Sequence, residues 1–412
     1  MDAIGIINLV ITLLFFLCSG YQLVYLLIPF IIKEKPCKKN EPHRITVLIA
    51  ARNEEAVIGQ LIDSVKNQDY PGELVKICVI ADNCSDSTAH IARSKGATVF
   101  EREDKLRVGK GYALDFALKR LLAEDDAEAY LVLDADNLLK RNFITEINRY
   151  FSSGYEVVTG YRNTKNFSDN WISAGYALWF LRESQFVNRP RQRLGTCSVV
   201  MGTGFLFSRK IAEEMGGWKY HGLSEDTDFS MDRICRGKMI GYCESAMLYD
   251  EQPVSFSQSW RQRLRWIRGS FEMFKKHGAG LIKGIFKGSW SCWDALAQNL
   301  SAFFLVLFAT LANALSFAVA LIRGAPLMPT LKSVLFAVIW GYCALFFMGL
   351  VTALGEWKKI KAPAYKKILA IFTFPVYIAT NIPIAFVALF RKAEWKPIRH
   401  TRSVTDDQIN GK

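Results

Sequence analysis

The stretch AYLVLDAD (129–136) is an apolar run that stops on two aspartates. Too short for a helix and without polar alternation, it has the pattern of a strand buried on both faces of a parallel sheet. RITVLIAA (44–51) and VKICVIAD (75–82) read the same way. Helical patterns lie between such runs. Val57, Ile58, Leu61, Ile62 and Val65 share one helical face, and Asn53-Glu54-Glu55 opens that helix with acids where its dipole favours them. Asp86-Ser87-Thr88 begins another helix, ATVF (97–100) is a strand, GYALDFALKRLL (111–122) and 141–152 are helices, and a strand lies near 156–161. The alternation predicts an α/β domain, a mostly parallel sheet with helices on both faces.

Ligands of such sheets bind beyond the carboxyl ends of the strands. The residues ending these strands are acidic: Asp82 after the second, Asp134 and Asp136 after AYLVLDAD. An aspartate there also serves as a helix N-cap, and a D-x-D pair recurs at Asp226-Thr-Asp228. What adds weight is position, since Asp134 and Asp136 leave a buried strand on the same side of the pleat. Two carboxylates so placed suit a hard divalent cation that keeps coordination sites open for substrate phosphates.

Further on, GTGFLFSRK (202–210) puts a small, turn-prone segment before an apolar strand, and HGLSEDTDFSMDR (221–233) places Glu225 and Asp226 at a helix start. Paired acids there cap a helix; alternatively, one is a general base that takes a proton from an attacking hydroxyl.

SQSWRQRLRWIRGSFEM (257–273) carries Arg261, Arg263, Arg265 and Arg268 around Trp260, Gln262 and Trp266. It suits a basic solvated helix, a nucleic-acid or lipid-headgroup patch, or a site for a phosphate and a flat ring. Arginine makes bidentate phosphate contacts, and tryptophan offers an apolar face to a sugar ring. Metal-binding acids, a general base and an Arg/Trp element together describe the handling of a nucleoside diphosphate attached to a sugar. Nucleic acid is not expected as a partner, because the aromatics are not spread as stacking platforms and the stretch runs toward apolar sequence.

The 412 residues are half hydrophobic, with a formal net charge of +13. Residues 3–32, 295–322 and 333–354 carry no charge, and neither does 368–390, which Pro375 and Pro383 interrupt. Each of the first three is long enough to cross a hydrocarbon core of about 30 Å. The first, too long for a signal-peptide core, reads as a retained anchor over 1–33. Lys33, Lys35, Lys38 and Lys39 follow it, placing 34–290 in the cytosol, and the net charge fits this positive-inside bias. Nine scattered cysteines without a C-x-x-C pair and five dispersed histidines argue for reduced thiols and against a zinc site.

The ordered motifs ARNEE (51–55), ADNCSD (81–86), GKGYAL (109–114), DAD (134–136), GTG (202–204), SED (224–226) and QRLRW (262–266) resemble those of the membrane-embedded family 2 glycosyltransferases, which include hyaluronan, cellulose, chitin and poly-N-acetylglucosamine synthases. The resemblance covers about 34–277. It implies a cytosolic GT-A domain over those residues, with Asp82 on the uracil of a UDP-sugar, Lys110 and Arg265 on the nucleotide's diphosphate, and Asp134 and Asp136 on the ribose and a Mg²⁺ or Mn²⁺. It further implies Asp226 as the base, with Gly202, Thr203, Gly204, Glu225, Gln262 and Trp266 on the acceptor side. Two positions depart from the family pattern: paired acids are usual at the second strand end, where this chain has Ala81-Asp82, and threonine is usual where it has Ser224.

Residues 278–293 are expected to form an amphipathic helix on the cytosolic leaflet, with Lys283 and Lys287 flanking an apolar face. A C-terminal transmembrane region over 294–390 and a basic tail over 391–412 follow. The basic loop 358–367 and the tail both belong in the cytosol by charge, which favours a re-entrant or interfacial hairpin for 368–390. QRLRW favours a processive polysaccharide synthase at the membrane, extending a β-linked glycan from a UDP-sugar. Transfer of one sugar to a membrane lipid is the alternative, and a non-catalytic scaffold or partner subunit a lesser one. Membrane lipids are expected partners on every reading; a partner subunit is left open.

Overall fold

The computed structural model describes residues 3–34, 37, 39–299, 304–324 and 326–391. Strands β1 (Ile45–Ala51), β2 (Val75–Asp82), β3 (Thr98–Arg102), β4 (Ala129–Asp134), β5 (Leu138–Leu139), β6 (Val157–Thr164), β7 (Phe205–Ser208) and β8 (Gly241–Asp250) build one sheet. Their order is β3-β2-β1-β4-β7-β6-β8-β5. The first four are mutually parallel, as the buried apolar runs predict. β7 then runs antiparallel to both β4 and β6, and β5 antiparallel to β8, while β6 and β8 pair in parallel, so the sheet is mixed but six of its eight strands point one way, as expected. Strand order reverses on either side of β1, and that switch point opens a crevice at the carboxyl ends of β1 and β4.

Helices cover both faces. α4 (Ile58–Lys66), α5 (Thr88–Ser94) and α7 (Phe143–Ser152) lie along the chain with α6 (Lys110–Glu124), which packs Ala113, Leu114, Ala117, Leu118 and Leu121 into the core. The helix expected from Asn53 begins only at Ile58. Asn53 has φ 57°, so the chain turns there, and the turn is tied down when the Glu54 and Glu55 N–H groups donate to Thr88 Oγ1 and Asp86 Oδ2. The acids that looked like first-turn residues belong to this loop contact.

α8 (Trp171–Arg182) opens with an Asn170–Ser173 capping box, and a π-helical turn (Glu183–Asn188) joins it to α9 (Arg189–Leu194). α10 (Arg209–Met215) and α11 (Glu225–Cys235) follow β7. α12 (Phe256–Phe286) is a single 31-residue helix capped by Ser255, so 278–286 continues the helix that carries QRLRW instead of forming a separate interfacial one.

Among the described residues, three apolar helical segments are long enough to cross a membrane: Ile6–Ile31, Leu331–Gly355 and Ala364–Phe390. The first contains α1 (Ala3–Ser19), α2 (Tyr21–Tyr25) and α3 (Ile28–Ile31). Of the span expected at 295–322, residues 300–303 lie outside the described residues; α13 (Trp290–Asn299) covers its start and α14 (Val306–Ile322) its last 17 residues. α13 buries Asp294 in an ion pair, which removes it from the lipid-facing pattern. α15 (Met328–Gly355) covers 333–354 as expected. The hairpin expected at 368–390 is not there. α16 (Ala364–Ala379) and α17 (Asn381–Phe390) meet at Thr380, whose φ −63° and ψ −13° keep the chain helical through the junction. Pro375 sits inside α16 and Pro383 in the first turn of α17, where a missing N–H is tolerated. The basic tail from 392 and the lysines at 35 and 38 lie outside the described residues.

Nor does the packing respect a boundary at 277. Tyr161, Tyr176, Leu181 and Tyr242 share one buried cluster with Ala353, Ile360, Ile371, Phe374 and Tyr377. Gly175 makes this contact possible, since a Cβ there would lie 2.3 Å from the Tyr377 ring.

Candidate active site

β2 delivers Asp82 into the switch-point crevice. Its Oδ1 accepts from Arg102 Nη1 at 2.6 Å and from Asn83 Nδ2 at 2.9 Å. Burial raises its pKa, opposed by the Arg102 hydrogen bond and charge. Arg102 ends the neighbouring strand β3 and is held in turn by Asp104 and the Arg107 carbonyl.

β4 ends at Asp134, so Asp136 lies in the following turn and pleat alternation does not extend to it. Both carboxylates nevertheless line one cavity. Lys110, the first residue of α6, donates to Asp134 Oδ1 at 2.5 Å and to the Gly202 carbonyl at 2.8 Å. Asp136 is buried, and its Oδ2 accepts from the Glu251 N–H at 2.8 Å.

The GTG segment divides its work. Gly202 reaches the cavity, where a Cβ would stand 3.8 Å from Asp226 Oδ2. Thr203 does not reach it: its buried hydroxyl accepts from the Asp134 N–H at 2.9 Å and bonds Asn137, bracing the turn that carries the two acids. Gly204 has φ +66° and packs against Leu248, whose Cδ2 a Cβ would meet at 1.9 Å. The acceptor role expected for Thr203 and Gly204 is thus replaced by support of the turn.

α11 starts at Glu225 and Asp226, as expected. Burial pushes the Glu225 carboxyl up to about 7, the Asp226 charge adding to it, against the pull of Lys110 and Arg265. Burial raises Asp226 as well, against the Thr227 N–H and the charges of Lys110, Arg265 and Arg162. The pair therefore faces three cations while keeping a carboxylate basic enough to take a proton near neutral pH.

α12 supplies the opposite wall. Arg265 Nη1 donates to the Leu223 carbonyl at 2.6 Å, tying the helix to the loop before Glu225. Trp266 stands edge-on to Tyr176 and Phe180, with ring centroids 5.7 and 5.9 Å away. Gln262 lines the cavity with a buried Oε1 that has no hydrogen-bond partner among the described residues. Orphaned acceptors of this kind await a donor such as a ligand hydroxyl.

The motif reading missed Arg162 and Asp250. Arg162 Nε and Nη2 grip Asp250 at 2.6 and 2.5 Å, and Nη1 donates to the Met201 carbonyl at 2.7 Å. Its guanidinium lies 3.6 Å from the Phe180 ring centre. Arg162 lies just beyond the strand expected near 156–161, and Asp250 ends β8, a strand the sequence reading did not contain.

Among the described residues, no three His, Cys, Asp or Glu side chains gather as a metal site. Two carboxylates with substrate oxygens completing the shell fit Mg²⁺ or Mn²⁺ bound together with a diphosphate. These residues line an open cleft of about 2460 Å³. It begins at Asp82, Lys110, Asp134 and Asp136, passes Asp226 and Trp266, and runs on between α1, α14, α15 and α17. There it is an open groove edged by apolar side chains, among them Phe317 and the exposed Phe16, Phe336 and Phe347.

An α/β sheet with paired acids at its switch point and a second acidic pair facing an Arg/Trp helix is the type of site that sugar transferases carry. The chain belongs to the family described as Glycosyltransferase like family 2, whose model matches residues 42–269. It is 26% identical over 264 residues to a probable glycosyltransferase of Bacillus subtilis, the match covering 58% of each chain. It is 27% identical over 274 residues to the beta-monoglucosyldiacylglycerol synthase of Trichormus variabilis, covering 63% of this chain and 56% of that one. Identity to the poly-beta-1,6-N-acetyl-D-glucosamine synthase of Staphylococcus epidermidis is 25% over 276 residues, covering 64% and 66%. The chain thus spans little more than half to two thirds of the length of these relatives. The mannosyltransferase of Pyrobaculum calidifontis in complex with GDP-Man and Mn²⁺ superposes with a TM-score of 0.54 at 17% identity, covering 90% of this chain and 97% of that one, which shows the fold.

Proposed function

We propose that the protein is a metal-assisted, inverting glycosyltransferase that moves one sugar from a UDP-sugar, glucose or N-acetylglucosamine, to the hydroxyl of a membrane lipid. The observation that carries this reading is that the cleft of the strand-end acids runs on into an apolar groove bounded by α14 and by the three segments long enough to span a bilayer. A lipid fits both ends of such a space, its tails among the phenylalanines and its hydroxyl at Asp226. The relative that is a beta-monoglucosyldiacylglycerol synthase supports the same class.

In this mechanism Asp82 reads the base of the nucleotide, with Arg102 fixing its orientation. Asp134 and Asp136 would hold Mg²⁺ or Mn²⁺, which when bound offsets charge on the diphosphate. Asp226 takes the proton of the acceptor hydroxyl as its oxygen attacks the anomeric carbon from the face opposite the diphosphate. The bond to the diphosphate oxygen breaks, the carbon inverts, and an α-linked donor gives a β-linked product. Lys110 and Arg265 stabilise the charge growing on the leaving oxygen, the task preorganised cations do best. Trp266, braced by Tyr176 and Phe180, presents its face to the acceptor, and Gln262 Oε1 accepts from one of its hydroxyls.

The return pair α14 and α15 brings the basic loop 356–363 back onto the domain, where Lys359 lies 3.5 Å from Glu244 and Glu356 bonds the Tyr161 hydroxyl. That docking supports a multi-pass protein with the catalytic domain and this loop both in the cytosol.

A processive polysaccharide synthase is the second reading, favoured by Gln262, Arg265 and Trp266 lining the acceptor side. The test uses protein in lipid nanodiscs with Mg²⁺ or Mn²⁺ and a panel of radiolabelled UDP-sugars. Label in an organic-solvent extract is the expected result. High-mass, protease-resistant product would replace the lipid reading with the polymer one, and no label released from any sugar nucleotide would overturn both.

A further inference from the structure

Among the described residues, five arginines are buried: Arg102, Arg182, Arg191, Arg233 and Arg263. The first four each have a carboxylate within 4 Å, from Asp82, Glu183, Asp294 and both Asp232 and Glu214 respectively. Arg263 has none among the described residues, although it is only 3% exposed. An arginine does not shed its proton, so this is a permanent charge out of water without a counter-ion, a costly arrangement unless something answers it.

Its hydrogen bonds are one-sided. Nη1 meets Thr380 Oγ1 at 2.6 Å, the Tyr377 carbonyl at 3.2 Å and Asn381 Oδ1 at 3.3 Å, at the junction of α16 and α17. The Tyr377 ring lies 4.7 Å from the guanidinium carbon. Nε and Nη2 are buried and have no hydrogen-bond partner among the described residues. These two N–H groups share one edge of the planar group and form the side-on fork that grips two oxygens of a phosphate or carboxylate at once. One turn back along α12, the Ser259 hydroxyl is likewise buried and unpartnered. If pinning the helix junction were the whole role, Nη1 alone would suffice.

Arg263 lines the cavity, adjacent in sequence to Gln262 and three residues from Trp266. We propose that its free edge is the seat of a phosphate group, carried by a membrane lipid lying in the cavity. This rests on reading the cavity as the lipid's place and narrows the lipid class to phosphate-bearing ones. Phosphate is the anion that a bilayer presents in quantity at its headgroups, and the apolar walls beyond Arg263 suit the attached chains. Free phosphate offers the same chemistry without the chains, and the experiment separates the two.

The full chain, delipidated in a neutral detergent, is examined by native mass spectrometry with dioleoyl phosphatidate, with dioleoylglycerol, or with inorganic phosphate. The expected result is retention of phosphatidate about tenfold or more above dioleoylglycerol, weakly displaced by millimolar inorganic phosphate, with the preference lost in Arg263→Gln and reduced in Arg263→Lys. Displacement by inorganic phosphate as strong as by phosphatidate would keep the anion seat but assign it to free phosphate. UDP binding shows that each variant is folded; should Arg263→Gln fail this, Arg263→Lys carries the test, since it keeps the charge without the fork. An unchanged phosphatidate preference in a folded variant, or none in the wild type, overturns the proposal. Transfer from a UDP-sugar without phosphatidate preference would defeat this inference and leave the catalytic reading standing. Phosphatidate preference without UDP binding would do the reverse.

Discussion

Gly269 and Ser224 touch so closely that a Cβ on Gly269 would lie 2.2 Å from the Ser224 hydroxyl oxygen. The contact sets α12 against the residue just before Glu225 and Asp226, and it lets Arg265 reach the Leu223 carbonyl one turn away. Gly269→Ala should therefore push the Arg/Trp wall off the base. A loss of about 1–3 kcal/mol in stability is expected from overpacking, with kcat falling more than UDP affinity. Thermal unfolding and UDP titration together check this; unchanged kcat would show that α12 can shift freely.

Asp226→Asn keeps the shape and removes the base. Transfer should fall by about 10²–10⁴-fold, while UDP binds within about twofold of wild type. Radiolabelled transfer and calorimetry measure the two quantities separately. Wild-type turnover would remove Asp226 from the mechanism.

The Glu225/Asp226 pair should give the pH profile its acid limb. A base works only when ionised, so activity should fall as pH drops through the raised pKa, which for Glu225 is about 7. Glu225→Gln takes away a neighbouring negative charge. The limb should then move to lower pH, since Asp226 would be left facing Lys110, Arg265 and Arg162 alone. The same raised pKa bears on stability with the opposite preference. The folded state holds a proton that the unfolded chain releases from 4.5 upward, so this contribution is present below 4.5 and lost as pH rises through about 7. A kcat/KM profile of wild type and variant decides the first point, and an unmoved limb would show that the two carboxyls titrate independently.

Chelation of the divalent ion and Asp136→Ala should have one common effect, a drop in UDP affinity of about tenfold or more. Lys110 stays on Asp134 in the variant, so binding should weaken rather than vanish. Isothermal titration with and without Mn²⁺ reads this directly; equal affinity in all conditions would make the acids structural.

Arg191 and Asp294 form a buried fork, Nε to Oδ2 at 2.7 Å and Nη2 to Oδ1 at 2.8 Å, and Tyr25 donates to the same carboxylate at 2.8 Å. The group joins the first apolar segment, α9 and α13. Asp294→Leu leaves the guanidinium unpaired and should cost about 3–5 kcal/mol. A much lower unfolding temperature in detergent is the expected readout. A change within error would mean that water or lipid reaches Arg191.

How far the sequence could be read depended on how local each signal was. Asp82 and Asp134 were visible because each ends an unbroken apolar run, and the parallel half of the sheet followed from those runs. Asp250 was not, because GYCESAMLYD (241–250) mixes polar and apolar residues and its strand status comes from pairing with β6. Thr203 looked like a ligand contact because the motif names residue types, not directions, and its hydroxyl turns inward to Asn137. The helix at Asn53 failed for a related reason: its acids answer to Thr88 and Asp86, more than thirty residues away. The unbroken helical path of α16 into α17 could not be seen in the two prolines, since whether a proline breaks a helix depends on its place within it and on what packs beside it.

The core that Tyr161, Tyr176 and Tyr242 share with Phe374 and Tyr377 has a practical corollary. A water-soluble fragment trimmed to 34–277 would lose the partners of that face and expose a ready-made adhesive surface. Dissection of this enzyme should follow the packing and not the hydropathy plot: the smallest unit with closed walls includes α15 and α16, so it must be handled in detergent or lipid.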